Sequence, residues 1–122
     1  MSGSPPSPWP SELRLNAGKD VLTARFDNGE AFELAAEYLR VESPSAEVQG
    51  HGPIERVFVP GKRHVKIKAL EPVGHYAVRI IFDDGHDSGL FTWSYLRELG
   101  QTHSEKWSAY LEGLAAQGLK RD

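Results

Sequence analysis

The sequence predicts an α+β domain: a mostly antiparallel sheet built from two related β-hairpin–helix units, plus a C-terminal helix. Three observations predict it. Apolar residues alternate with period two on both sides of two tight-turn signals. The turn and the helix after it occur twice along the chain. The last stretch carries apolar residues at helical spacing.

Residues 1–10 hold four of the eight prolines, with serines and a glycine, and read as a flexible N-terminal tail. Trp9 is either docked on the body, where its area can be buried, or left out as an exposed recognition group. In Val21–Phe26, Leu22, Ala24 and Phe26 share one strand face. Asp27-Asn28-Gly29 is a turn signal, since Asn and Gly tolerate positive φ, and Phe32 and Leu34 alternate beyond it. Ala35 to Arg40 predicts a short helix that Pro44 stops near Glu42.

Lys62 to Leu70 predicts a strand with Val65 and Ile67 inward, joined through Glu71–His75 to a strand over Tyr76 to Phe82. Asp83-Asp84-Gly85 then turns the chain into a return strand at Leu90-Phe91. Trp93 to Leu99 predicts a helix capped by Thr92 and ended by Gly100. The last helix runs from about Ser104 to Gln117, with a capping box in Thr102–Glu105 and a stripe of Trp107, Leu111, Leu114 and Ala115. Gly118 and Lys120-Arg121 suit its C-terminal end.

Phe26-Asp27-Asn28-Gly29 and Phe82-Asp83-Asp84-Gly85 share their turn chemistry, and each precedes a helix with Tyr-Leu-Arg. The turn glycines lie 56 positions apart, and the triplets at Tyr38 and Tyr95 lie 57 apart. One unit could not bury its apolar side alone, so two are expected to pack on one interior.

Composition bounds the function. At 122 residues one domain is expected, divided as tail 1–10, domain 11–100 and a packed amphipathic helix in 101–122. The formal charge of −3 argues against generic nucleic-acid or acidic-membrane binding. The absence of cysteine removes disulfides, thiol catalysis and every Cys-containing zinc motif. No apolar run approaches a membrane span and no signal segment opens the chain, so a cytoplasmic protein is expected.

Two concentrations of residues could carry chemistry. The stretch from Glu42 to Pro53 has no periodicity and sets His51 between two glycines; loops this long tend to be functional or disordered. Ser43, Glu47, Gln49 and His51 are its candidate interaction residues. Asp84, His86 and Asp87 crowd the second turn and could hold a divalent metal, or simply serve turn chemistry.

Gly61-Lys62-Arg63 lacks the rest of a phosphate loop, and Ser88 is not in a nucleophile elbow. No predicted strand carries the His-x-acid pair of a facial-triad iron site. No catalytic residue is assigned; an enzyme is unsupported rather than excluded. Lys62, His64, Lys66 and Lys68 form a basic stripe, read either as an edge kept soluble or as a weak nucleic-acid contact.

Two stretches carry a family resemblance. Leu39-Arg40-Val41-Glu42-Ser43 runs on to His51-Gly52, and Glu71-Pro72-Val73-Gly74-His75 runs on through Phe82–Gly89 to Trp93-Ser94-Tyr95-Leu96. Over about residues 9–100 the chain resembles a small bacterial family of unknown function. That family is similar to the N-terminal domain of gamma-butyrobetaine hydroxylase. The resemblance implies that His86 corresponds to a zinc-ligating histidine of the hydroxylase. The cysteines that complete that site follow the Leu-Arg of the first helix, where this chain has Val41 to Glu47 and no sulfur. Zinc-holding therefore does not carry over, and hydroxylation, which the resemblance assigns to the separate oxygenase barrel of the hydroxylase, is not expected of residues that resemble its N-terminal domain alone.

The same domain occurs fused to iron–sulfur carrier ATPases of the Mrp type, which implies an accessory role in metal or iron–sulfur metabolism. The expected function is a non-catalytic accessory or protein-interaction module with a protein partner and no cofactor. Its contact surface would be the Ser43–Pro53 loop with the Asp84–Ser88 hairpin, lying close together. The alternative is a zinc- or iron-binding protein, or a metal-dependent enzyme, built on His86, Asp84 and Asp87 with His51. Nucleic-acid binding through Lys62–Lys68 comes last.

Overall fold

In the computed structural model, which describes residues 9–45 and 58–122, the chain folds into two three-stranded antiparallel sheets with three helices among the described residues. The first unit is β1 (Pro10–Leu15), β2 (Val21–Phe26), β3 (Ala31–Ala35) and α1 (Ala36–Val41). The second is β4 (Ile67–Val73), β5 (Ala77–Phe82), β6 (Leu90–Thr92) and α2 (Trp93–Gln101), after which α3 (His103–Ala116) closes the fold. Each sheet is a meander, ordered β1-β2-β3 and β4-β5-β6.

Period-two patterning sets which face is buried. Leu22, Ala24 and Phe26 of β2 and Val78, Ile80 and Phe82 of β5 are buried, and they meet with Tyr38, Leu39, Leu96 and Leu99 in one cluster. The two sheets therefore share a single interior, as the repeat requires.

The repeat extends to individual hydrogen bonds. Gly29 and Gly85 both take positive φ, at 93° and 91°. Phe26 N donates to Glu30 O at 2.8 Å, and Phe82 N to His86 O at 3.0 Å. Ala36 N, opening α1, donates to Asp20 O; Trp93 N, opening α2, donates to Tyr76 O. Most telling is an exchange between units. Tyr38 Oη of α1 donates to Leu99 O of α2 at 2.7 Å, and Tyr95 Oη of α2 donates to Glu42 O just past α1 at 2.6 Å. Arg40 of α1 reaches Asp84 in the second turn, and Arg97 of α2 reaches Glu30 beside the first.

Several elements differ from the sequence reading. Strand β1 was not anticipated, because its pairing slips between Pro10 and Glu12 and the bulge breaks the alternation. Pro10 itself opens the strand, a position that tolerates a missing N–H. Trp9 is tied by its backbone to Asp27, while its ring stays 48% exposed. The strand expected over Lys62–Leu70 begins only at Ile67 and runs through Pro72 to Val73, which β4 can accommodate because it is an edge strand. Ahead of it, Gly61 N and Arg63 N donate to Lys120 O and Arg121 O, so that segment is held by the C-terminal tail instead of by β5.

The helices differ in similar ways. Gly100 lies inside α2 rather than ending it, because a Cβ there would stand 2.3 Å from the Phe32 ring. Thr92 caps α2 as expected, accepting from Tyr95 N. Thr102 caps nothing with its side chain; its hydroxyl donates back to Glu98 O at 2.7 Å. On α3 the buried residues are Tyr110 and Leu114, while Leu111 and Ala115 of the expected stripe are exposed. Tyr110 and Leu114 pack with Val41 and Phe58 into a second, smaller cluster. Gly118 ends the helix at φ 68°, with Leu119 N reaching back to Leu114 O.

The tyrosine exchange sets a stability prediction. Tyr38→Phe and Tyr95→Phe each leave a carbonyl without its donor, and each is expected to lower stability by about 1–2 kcal/mol in denaturant unfolding. A loss confined to one of the two would show that the exchange is not reciprocal in energy.

Candidate functional site

The end of α1 and the β5–β6 hairpin meet across the junction of the two units. Arg40 projects from the last turn of α1, and Ser43 and Ser45 follow as the chain leaves the helix. The facing hairpin supplies Asp84 and His86 at its turn and Ser88 on its return. Lys62 enters from the segment ahead of β4.

Ser43 is fully buried, and its Oγ lies 2.9 Å from His86 Nε2 and accepts from Ser45 N at 3.3 Å. His86 is buried as well, with its ring centroid 6.0 Å from that of Phe82. Ser45 Oγ and Ser88 Oγ are 2.8 Å apart. Gly89 makes this approach possible, since a Cβ there would lie 2.3 Å from Ser43 Oγ. Oxygen and imidazole thus stitch the exit of α1 to the second hairpin.

Asp84 is the charged centre. Its Oδ2 accepts from Arg40 Nε at 2.8 Å and from Lys62 Nζ at 2.6 Å, and its Oδ1 accepts from His86 N at 3.1 Å. Burial alone would raise the carboxyl's pKa; the hydrogen bonds from Lys62, the His86 amide and Arg40 outweigh it and bring Asp84 down to about 2. Asp84 is therefore an anion at any physiological pH.

Of the residues singled out from sequence, Ser43, Asp84 and His86 come together. Asp87 is exposed, its charge felt by Arg79 on β5. Glu47, Gln49 and His51 lie outside the described residues, and with them the expected closeness of His51 and His86. Among the described residues no group of three or more His, Asp or Glu is arranged to hold a metal ion. Of the stretch Val41 to Glu47, the hydroxyls of Ser43 and Ser45 face His86 and Ser88.

Sequence reasoning missed Arg40, and it took in Ser45 and Ser88 only as members of the Ser43–Pro53 loop and the Asp84–Ser88 hairpin. It also placed Lys62 in a basic stripe along a strand. Lys62 is instead committed to Asp84, which breaks the stripe and leaves His64, Lys66 and Lys68 exposed. The repeated Tyr-Leu-Arg was the available signal for Arg40, since both arginines cross to the opposite hairpin.

A concave feature lies between α1, α3 and the C-terminal tail. Ala35, Glu37, Tyr38, His103, Trp107 and Arg121 line a cavity of about 240 Å³. There the Arg121 guanidinium binds both oxygens of buried Glu37, at 2.8 and 2.6 Å, and lies 5.2 Å from the Trp107 ring centroid.

The family model described as gamma-butyrobetaine hydroxylase-like, N-terminal, matches residues 13–97. Two similar structures were solved by NMR in solution. One is 48% identical, with 94% of this chain and 90% of that one covered and a TM-score of 0.80. The other is 44% identical, with 99% and 90% covered and a TM-score of 0.82. A crystal structure from Acidithiobacillus ferrooxidans, of a protein of unknown function in the DUF971 family, is 41% identical over 75% of this chain and 91% of that one, with a TM-score of 0.62. No curated protein matches the chain. Among the described residues no helix is long and apolar enough to cross a membrane.

Asp84 carries a pH prediction. Its pKa is depressed in the folded state, so its contribution is fully present above the unfolded value near 4 and is lost as pH falls through about 2. Stability measured by denaturant unfolding should therefore fall between about pH 4 and pH 2, and Asp84→Asn should flatten that part of the curve. An unchanged slope in Asp84→Asn would show that the Arg40–Asp84–Lys62 cluster is not what titrates.

Proposed function

The chain belongs to the gamma-butyrobetaine hydroxylase-like N-terminal family, and from that premise we propose that it is a non-catalytic interaction module. Its contact surface is the rim where Ser43–Ser45 meets the Asp84–Ser88 hairpin, serving metal or iron–sulfur metabolism. The carrying observation is that the groups best suited to chemistry are tied into the frame. Asp84, at a pKa of about 2, is far from the range in which a general acid or base works near neutral pH. Ser43, whose hydroxyl lies beside His86, has no exposed surface for a substrate to reach.

What the arrangement does supply is a braced surface. Hydrogen bonds fix the exit of α1 against the second hairpin, and exposed Asp87 and Ser88 sit at its edge. Polar residues held on a rigid scaffold suit recognition. The metal-binding reading stays as the competing outcome of the same test.

That test is purification of the untagged protein from its own cells without chelator, with metal content and co-purifying proteins measured together. The expected result is a metal-free chain that keeps its melting temperature in chelator. A partner is expected with it and is lost in Asp87→Arg and Ser88→Trp variants that remain folded. One tightly held metal per chain, absent in His86→Ala and with the fold melting in chelator, would overturn the proposal.

A further inference from the structure

The two units use the same arginine differently. Arg97 grips Glu30 with two nitrogens, Nε to Oε1 at 2.5 Å and Nη2 to Oε2 at 3.4 Å, and Gln101 Nε2 adds a bond to Oε2 at 3.2 Å. There one cation meets one anion. The residue of the second turn that corresponds to Glu30 is His86, which offers no carboxylate. Arg40 accordingly falls back on Asp84, bonding through Nε alone, and Lys62 binds the same carboxylate oxygen. Here, among the described residues, two cations share one carboxylate oxygen.

The mismatch leaves a specific atom unmatched. Arg40 is 9% exposed, and its Nη1 is buried with no hydrogen-bond acceptor among the described residues. Buried donors in native proteins almost always find an acceptor, and a guanidinium N–H does so most readily with an oxyanion. The cluster also has a solvent edge, since the side chains of Lys62 and Asp84 are 22% and 18% exposed.

We propose that Arg40 and Lys62 form a binding point for a small oxyanion, a phosphate or carboxylate group presented by the partner. An anion with two oxygens can take Lys62 Nζ at the solvent edge and Arg40 Nη1 on the inner side. The flexible four-carbon stem of Lys62 permits the adjustment. Bound there, the anion neutralises the surplus positive charge that Asp84 leaves, and Asp84 continues to orient both cations. The Arg97–Glu30 copy, already matched, binds none. The inference rests on the interaction-module reading only for the source of the anion, because binding of the free ion is measured without any partner.

The experiment is an NMR titration of the full chain with inorganic phosphate and, separately, acetate, at constant ionic strength made up with chloride. Saturable amide shifts are expected at Lys62–Arg63 and Asp84–His86, with none at Asn28–Glu30. Lys62→Ala should weaken the affinity about tenfold, the loss of one charge-assisted hydrogen bond. Asp84→Asn should tighten it, by removing the competing negative charge. Saturation by phosphate alone would identify a phosphate-bearing partner, and saturation by both anions a carboxylate-bearing one. Non-saturating shifts of equal size at both turns, or an affinity unchanged in Lys62→Ala, would overturn the proposal. Those outcomes would leave the interaction module itself intact.

Discussion

Each unit completes the other. Tyr38 of the first helix hydrogen-bonds the end of the second, and Tyr95 of the second hydrogen-bonds the chain just past the first. Both hydroxyls meet backbone carbonyls that the helix ends leave without intrahelical donors, and water is excluded from the buried Tyr38–Leu99 contact. Arg40 and Arg97 repeat the crossing at the two turns. A three-stranded meander with one short helix has a single apolar face, and here that face is covered by the same face of its relative. The crossed bonds fix how the faces register, so the shared core and the site at the junction both depend on them.

The junction is also where the units diverge. At the first, Glu30 answers Arg97 charge for charge. At the second, a histidine takes that position, the carboxylate moves to Asp84, and Ser43 lies against Gly89 at a distance no larger residue would allow. A fold with an internal copy carries its own control. The matched ion pair holds structure, and the unmatched one, at an edge open to solvent, is where we propose that an oxyanion binds.

Much of this architecture is legible in the sequence because it follows from short-range rules. Alternation at Leu22–Phe26 and Val78–Phe82, glycine at the two turns and Thr92 ahead of α2 are each decided by neighbours a few residues away. The Tyr-Leu-Arg echo exposed the duplication itself. What stayed hidden depends on distant partners. Gly100 reads as a stop signal until Phe32, far away in sequence, is seen to need its space. The Lys62 segment reads as a strand because its alternation is real, yet its backbone pairs with the C-terminal tail. At the site, Ser43, Asp84 and His86 were visible as a concentration of polar residues. Arg40 was hidden inside a helix motif, where nothing local distinguishes a core-facing arginine from a solvated one.

Native-state hydrogen exchange tests the mutual dependence of the units most directly. If they stand only together, the slowest amides of β2 and of β5 will exchange through one opening, with the same free energy and the same denaturant dependence. If β2 opens at a distinctly lower free energy while β5 stays protected, or the reverse, one unit holds its structure without the other, and the crossed tyrosines are not what sustains the fold.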